Sequence, residues 1–179
     1  PASRAKYWTQ SNVSLSRYTF IMPGKDYNPA MHTAEHILNS VMDKMYHCGR
    51  SFSSHIESRK SKCDYRIKKG LSHKEVSAVE RTVNEIIKMN IPVGEELVSR
   101  READKKYFTG KLPEDAGDTI RIITIGNFDA CPCIGQHVSN TSEIGSFSIT
   151  SADFNEGVLR IRFRLLNNGA TDQEIRQPA

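Results

Sequence analysis

Asn28-Pro29-Ala30-Met31-His32-Thr33-Ala34-Glu35-His36-Ile37-Leu38-Asn39-Ser40-Val41-Met42-Asp43-Lys44-Met45 is the stretch on which the reading of this chain turns. Asn28 has the side chain of a helix cap, and Pro29 fits the first helical position, where its missing N–H costs nothing. Met31, Ala34, Ile37, Leu38, Val41, Met42 and Met45 then recur at the spacing of one helical face, and Gly49 supplies a stop. His32 and His36 stand one turn apart on a more polar face shared with Asn39 and Asp43.

About a hundred residues on, Cys133-Ile134-Gly135-Gln136-His137 repeats the i, i+4 spacing of two metal-ligating side chains. The two pairs offer three imidazoles and one thiolate, a complete tetrahedral set for zinc. Either pair alone reads more plainly as solvated surface. Pro132 and Gly135 change that balance, because a constrained turn can aim side chains at a fixed point. Cys131 stands as an alternative ligand to Cys133, or as a small buried thiol. Cys48, at a helix end, and Cys63, in a strand, read as structural. His32-Thr33-Ala34-Glu35-His36 also fits His-x-x-Glu-His, the pattern of a zinc peptidase in which the Glu activates water; the plain alternative for Glu35 is an exposed helical carboxylate.

Outward from these segments, the chain alternates short strands with helices. Val13–Met22 predicts a first strand ended by Pro23-Gly24. Residues 50–69 predict two strands, with Phe52, Ile56, Cys63, Tyr65 and Ile67 supplying the apolar faces. Ser72 and Glu75 form a capping box ahead of a helix over Leu71–Asn90, whose Val76, Val79, Val83, Ile86 and Ile87 make a buried stripe. Val93–Val98 predicts a short strand, Ser99 and Glu102 cap a helix that stops near Gly110, and the β-branched run Thr119–Ile125 predicts a strand. Phe128–Val138 reads as turn-rich, and Ile144–Thr150 with Val158–Leu166 as a closing strand pair. The expected class is α+β, with helices packed on a largely antiparallel sheet. The expected organisation is a strand and lead-in over 1–27, a central domain over 28–166 and a polar tail over 167–179.

The chain has 179 residues, enough for one domain with a sizeable core. No apolar run reaches the length of a membrane span and no secretory signal is visible, so a soluble cytoplasmic protein without a membrane partner is expected. Four cysteines are too sparse for a disulfide scaffold and fit thiols or metal ligands better. A formal charge of +4 permits an RNA-facing surface without demanding one.

The ordered motifs resemble a known family. His32-x-x-x-His36 is followed by Asp129-x-x-Pro132-Cys133-x-Gly135-x-His137-Val138 and by Thr141-x-Glu143-Ile144-Gly145-x-Phe147. With the Leu71-Ser72 helix start, the Asn90-x-Pro92-Val93 exit and the Gly117-Asp118-Thr119-Ile120-Arg121 lead-in, this resembles the aminoacyl-tRNA editing domain. Alanyl- and threonyl-tRNA synthetases and the free-standing AlaX-type proteins share that domain. The resemblance implies hydrolysis of the ester joining a wrong amino acid to its tRNA, by an aminoacyl-tRNA deacylase. It implies Zn2+ held by His32, His36, Cys133 and His137, and Ser- or Gly-tRNA(Ala) as substrate. No aminoacylation domain fits in the chain, so action in trans, on the acceptor end of mischarged tRNA, is expected, with an isolated editing domain cut from a synthetase as the alternative. Two positions depart from the Cys-Gly-Gly-Thr-His form common in synthetases: Ile134 and Gln136 replace its first Gly and its Thr. They favour the alternative of a non-catalytic tRNA-binding zinc module.

Ser53 and His55, in the strand after the histidine helix, are candidates for the substrate pocket, as is Gln136 between the second ligand pair. Arg59, Lys60, Lys62, Arg66, Lys68 and Lys69 flank Tyr65 in a hairpin-like region and are candidate tRNA phosphate contacts. Arg160, Arg162 and Arg164 alternate with Ile161, Phe163 and Leu165; their plain reading is a solvated sheet face, with phosphate contact second.

Overall fold

The computed structural model describes residues 28–110, 112 and 116–166; the expected strand at Val13–Met22 and the tail from 167 lie outside them. Helix α1 (Pro29–Tyr46) starts as the sequence dictates, with the Asn28 side chain accepting from Met31 N and Pro29 in the first turn. It ends earlier than Gly49, because His47 takes the left-handed conformation and its N–H closes on Asp43 O. Strands β1 (Ser53–His55) and β2 (Ser61–Arg66) form a hairpin, and Phe52 falls one residue outside it, exposed. Helix α2 (His73–Lys88) opens with the full Ser72–Glu75 capping box. Strand β3 (Val93–Ser99) runs into helix α3 (Arg100–Lys106), which Ser99 caps and which ends before Tyr107, short of Gly110.

Strand β4 (Thr119–Ile125) turns through Gly126, at φ +47°, into β5 (Asp129–Pro132). The segment expected to be all turn thus begins with a strand. Its short run, with Asp129, Ala130 and a terminal proline, shows no apolar alternation, so pairing with β4 decides its conformation. A 3-10 turn over Thr141–Ile144 precedes β6 (Ser146–Asn155), which runs past the expected end at Thr150 through a bulge and pairs along its length with β7 (Val158–Leu166).

The strands make two antiparallel sheets, β1-β2-β7-β6 and β3-β4-β5, so the chain is an α+β fold. The main core is built from one face of the four-stranded sheet and the apolar sides of α1 and α2: Cys63, Tyr65, Leu159, Ile161 and Phe163 against Ile37, Leu38, Val41, Val79 and Val83, all at most 1% exposed. Val76 and Ile86 lie half-buried at its edge, while Met45, at the end of the predicted stripe, is exposed. Ile120 and Ile122 turn to a small second core with Ala103 and Val98, whereas Ile125 joins the main one. Strand β4 is therefore covered on both faces, which its unbroken β-branched run foreshadows.

One face differs from expectation in a way that matters. The polar side of α1 is inside: Glu35, His36 and Asn39 are 7%, 2% and 1% exposed. β5 lies against this side of the helix, and buried polar groups there must be satisfied. Asn39 does much of this, donating to Glu35 Oε1 at 2.6 Å and accepting from Ser51 N at 2.9 Å.

Candidate metal centre

The helical and strand periods together explain why the ligand pairs meet. On α1, His32 and His36 project from one face a turn apart. Along β5 and just beyond it, Asp129, Cys131 and Cys133 follow the two-residue period that puts alternate side chains on one side. Cys131 Sγ lies 3.3 Å from His36 Nδ1, and Cys133 Sγ lies 3.4 Å from His32 Nε2. The turn after Cys133 brings His137 Nε2 to 3.4 Å from the same sulfur. The ring centroid of His137 is 4.4 Å from that of His32 and 4.5 Å from that of His36. One donor atom from each of His32, His36, Cys133 and His137 lies within 4.8 Å of the others.

The turn is held from three directions. Arg121 donates to the carbonyls of Cys133 and Gly135 at 3.1 and 2.8 Å, while Glu95 accepts from the same guanidinium at 2.7 Å. Thr33 Oγ1 lies 3.1 Å from His137 Nδ1, accepts from Val138 N and donates to Pro29 O. Gly135 permits the closest approach: a Cβ there would sit 2.1 Å from His32 Cε1 and 2.3 Å from Nδ1. Any other residue would drive the His32 ring away from Cys133.

Behind His36 lies a buried ionic chain. Asp129 Oδ2 is 3.5 Å from His36 Nδ1, and Asp129 Oδ1 accepts from Arg50 at 2.7 Å. A carboxylate behind a ligating imidazole fixes its tautomer and ring plane and strengthens it as a donor. His36, Asp129 and Cys131 form a second close group. Arg50 already neutralises its carboxylate, and Cys131 lies nearer the Nδ1 side of the ring, apart from the four-donor group.

The electrostatics suit cation binding. Burial alone would push the Cys133 thiol up, but hydrogen bonds from His137, His32 and His36 outweigh it and hold the thiol down at about 3. The sulfur is thus a thiolate at neutral pH, the form that ligates metal. Burial, with the neighbouring His36 and His32, lowers His137 to about 4 against the pull of Cys133, so its ring is neutral. Burial also opposes charge on His36, but Asp129, Cys131 and Cys133 overcome it and raise that imidazole well above its ordinary value. A proton on His36 and a cation in the cluster are alternative ways to balance the thiolate, so metal binding competes with protons. Burial raises Asp129, yet His36 and Arg50 hold its carboxyl below the usual range. Three imidazoles and a thiolate around one point, with a glycine where a side chain would obstruct, fit Zn2+.

The other predicted site residues stand apart from this cluster. Ser53 and His55 are exposed on the outer strand β1, where His55 Nε2 meets Glu57 at 2.7 Å. Gln136 and Ile134 are exposed on the turn. Glu35, expected to be exposed unless catalytic, is buried and bonded to Asn39. The six basic residues do not form one patch. Arg59, Lys60 and Lys62 lie at the β1–β2 turn and its exit, whereas Arg66, Lys68 and Lys69 lie at the far end of β2. There Arg66 stacks on Phe52 and Lys69 pairs with Glu75. Arg160 and Arg162 are ion-paired across the sheet, to Asp64 and Asp153 respectively. Arg50 carries no signal in the sequence and Arg121 appears there only as the end of the Gly117–Arg121 lead-in, because an arginine beside or within a strand has no evident role until register places it. Asp129 and Thr33 were visible only as neighbours of ligands.

Comparison with known proteins places the fold. Residues 120–162 match the family described as the threonyl and alanyl tRNA synthetase second additional domain. The alanine–tRNA ligase of Fervidobacterium nodosum is 36% identical over 150 residues, covering 80% of this chain and 17% of that enzyme. Those of Methanococcus maripaludis strain C7 and Bdellovibrio bacteriovorus are 34% and 35% identical over 140 and 135 residues, each covering 74% of this chain and 15% of the enzyme. The chain therefore spans only about a sixth of the length of these relatives. Matched segment, relatives and α+β architecture agree: the chain carries an editing domain of the alanyl-tRNA synthetase type.

Proposed function

We propose that this chain is a zinc-dependent aminoacyl-tRNA deacylase that hydrolyses the ester of a wrongly attached amino acid, serine or glycine on tRNA(Ala), in the cytoplasm. The observation that carries the reading is the convergence of His32, His36, Cys133 and His137 on one point in a domain of this type. These four residues would hold the metal. Zinc, when bound, supplies Lewis acidity for an ester carbonyl or a docking point for the substrate's free amino group.

The chain's own groups do the rest. Arg50 and Asp129 keep the His36 ring oriented, Thr33 does so for His137, and Arg121 keeps the turn from Cys133 to Gly135 rigid. Ile134 and Gln136 stand exposed on that turn, where an aminoacyl group approaching the donors would meet them. Gln136 offers an amide donor and acceptor for a serine hydroxyl or an amino group, and Ile134 an apolar edge that excludes larger polar side chains. Ser53 and His55 serve the terminal ribose or the attacking water only if the acceptor end runs along β1.

A second reading, a non-catalytic tRNA-binding zinc module, is favoured by one specific fact: four protein donors already complete a tetrahedral set. A peptidase finds no support, since Glu35, its required base, is buried and engaged by Asn39. The test is a panel of Ser-, Gly-, Thr- and correctly charged Ala-tRNA incubated with zinc-loaded protein. The deacylase reading expects release from Ser- or Gly-tRNA(Ala) and sparing of Ala-tRNA(Ala). Binding of all four without turnover would instead establish the module.

A further inference from the structure

The outer face of the four-stranded sheet is basic, and its charge is uneven in a way the sequence does not reveal. Cys63, Tyr65, Leu159, Ile161 and Phe163 fill the core side, so the alternate residues point outward. Register sets Lys62 beside Arg162 and Asp64 beside Arg160 on the central strands. At the Arg160 end the charge is cancelled: Asp64 takes a two-pronged contact from Arg160 at 2.7 and 2.8 Å. Arg162 also reaches Asp153 and Ser151.

At the other end the balance shifts. Arg164 lies opposite Ser148, and its buried Nε has no hydrogen-bond partner among the described residues. Beside it the β1–β2 turn carries Arg59 and Lys60, both exposed, followed by Lys62. Among the described residues none of these four cations is held in an ion pair, and the turn's own acid, Glu57, is engaged by His55. A relay of contacts links this end of the sheet to the segment that carries the metal ligands. Val138 N donates to Thr33 on α1, the 3-10 turn packs against α1, and Gly145 then lies against Leu166 O, two residues past Arg164.

We infer that the end of the outer sheet face formed by Arg59, Lys60, Lys62 and Arg164 is a docking surface for an RNA phosphodiester backbone. Charge complementarity identifies the partner: four cations outside any ion pair among the described residues, spread over one sheet end and its turn, match a run of phosphates better than a single small anion. Arg66, Lys68 and Lys69, at the opposite end, are outside this surface. The inference rests on the tRNA-directed reading above and says where the duplex is gripped.

The test uses the full chain and an uncharged RNA hairpin, so it requires no hydrolysis and remains informative if the deacylase reading fails. Affinity is measured by fluorescence anisotropy over about 50–200 mM salt. A triple variant R59Q/K60Q/R164Q is expected to lower the slope of log K against log salt by about three. At about 0.15 M salt this corresponds to roughly 100-fold weaker binding. Its zinc content and melting temperature should match the parent. A control, K68Q/K69Q, is expected to change affinity by less than about twofold. Unchanged affinity and slope in the triple variant, or an equal loss in the control, would overturn the assignment; so would RNA binding that is already insensitive to salt in the parent.

Discussion

Replacing Gly135 by alanine adds one methyl group to a chain of 179 residues, and the geometry makes this a severe change. The new Cβ would stand 2.1 Å from His32 Cε1, against an ordinary contact of 3.4 Å or more, so the ring must withdraw by about 1 Å. Metal–ligand distances tolerate only about ±0.2 Å. His32 sits on a helix capped by Asn28 and packed on the core, so its backbone cannot follow, and the ring would turn out of the cluster. Second-shell changes typically cost 10–100-fold in metal affinity, and expelling a ligand should exceed about 100-fold. At a fixed zinc concentration that saturates the parent, this removes about 2.7 kcal/mol of metal-linked stability. For a domain of this size the zinc-induced rise in melting temperature would shrink by roughly 5–10 °C. Competitive chelator titration gives the affinity, and calorimetry with and without zinc gives the shift. Melting in chelator should stay near the parent's, because the methyl group meets a mobile ring rather than the core. An alanine variant that kept the parent's zinc affinity would refute the contact on which the cluster depends.

Other perturbations separate the roles of neighbouring residues. Cys133→Ser should abolish tight zinc binding while Cys131→Ser retains about one zinc per chain, measured by elemental analysis; the reverse pattern would reassign the ligand. Asp129→Asn should weaken zinc by about 10–100-fold by loosening His36, and should cost roughly 2 kcal/mol by leaving half-buried Arg50 without its charge partner. Chemical denaturation with and without zinc distinguishes the two effects. Asp64 is held below the usual carboxylate range by its hydrogen bond from Arg160, working against burial. Its contribution is thus present above the unfolded value near pH 4 and lost as pH falls through the lower folded value. Asp64→Asn should therefore lower stability at pH 7 and flatten the loss of stability on acidification; an acid profile parallel to the parent's would show the pair to be inert.

What the sequence makes legible here is what local chemistry decides. Asn28, Ser72 and Ser99 announce three helix starts because each can satisfy orphan N–H groups within a few residues, and all three do so. The β-branched run of β4 announces itself in the same way. Strand β5 does not, because Asp129-Ala130-Cys131-Pro132 has no period and is a strand only by pairing with β4. The spacing of His32 and His36 shows that they share a face. It does not show that β5 covers that face and buries Glu35, His36 and Asn39. Arg50 and Arg121 acquire their meaning only when register brings them to Asp129 and to the Cys133–Gly135 turn. The basic run from Arg59 to Lys69 looks continuous along the chain, yet strand β2 carries its halves to opposite ends.

A four-donor cluster that makes this domain a deacylase must make hydrolysis depend on the metal. The most direct measurement is single-turnover release of serine from Ser-tRNA(Ala) by one preparation in three states: zinc-loaded, chelator-stripped and reloaded. Hydrolysis is expected when loaded, with its loss on stripping, its return on reloading and Ala-tRNA(Ala) spared throughout. Serine release at the uncatalysed rate in the loaded state, with zinc bound and the RNA engaged, would contradict it.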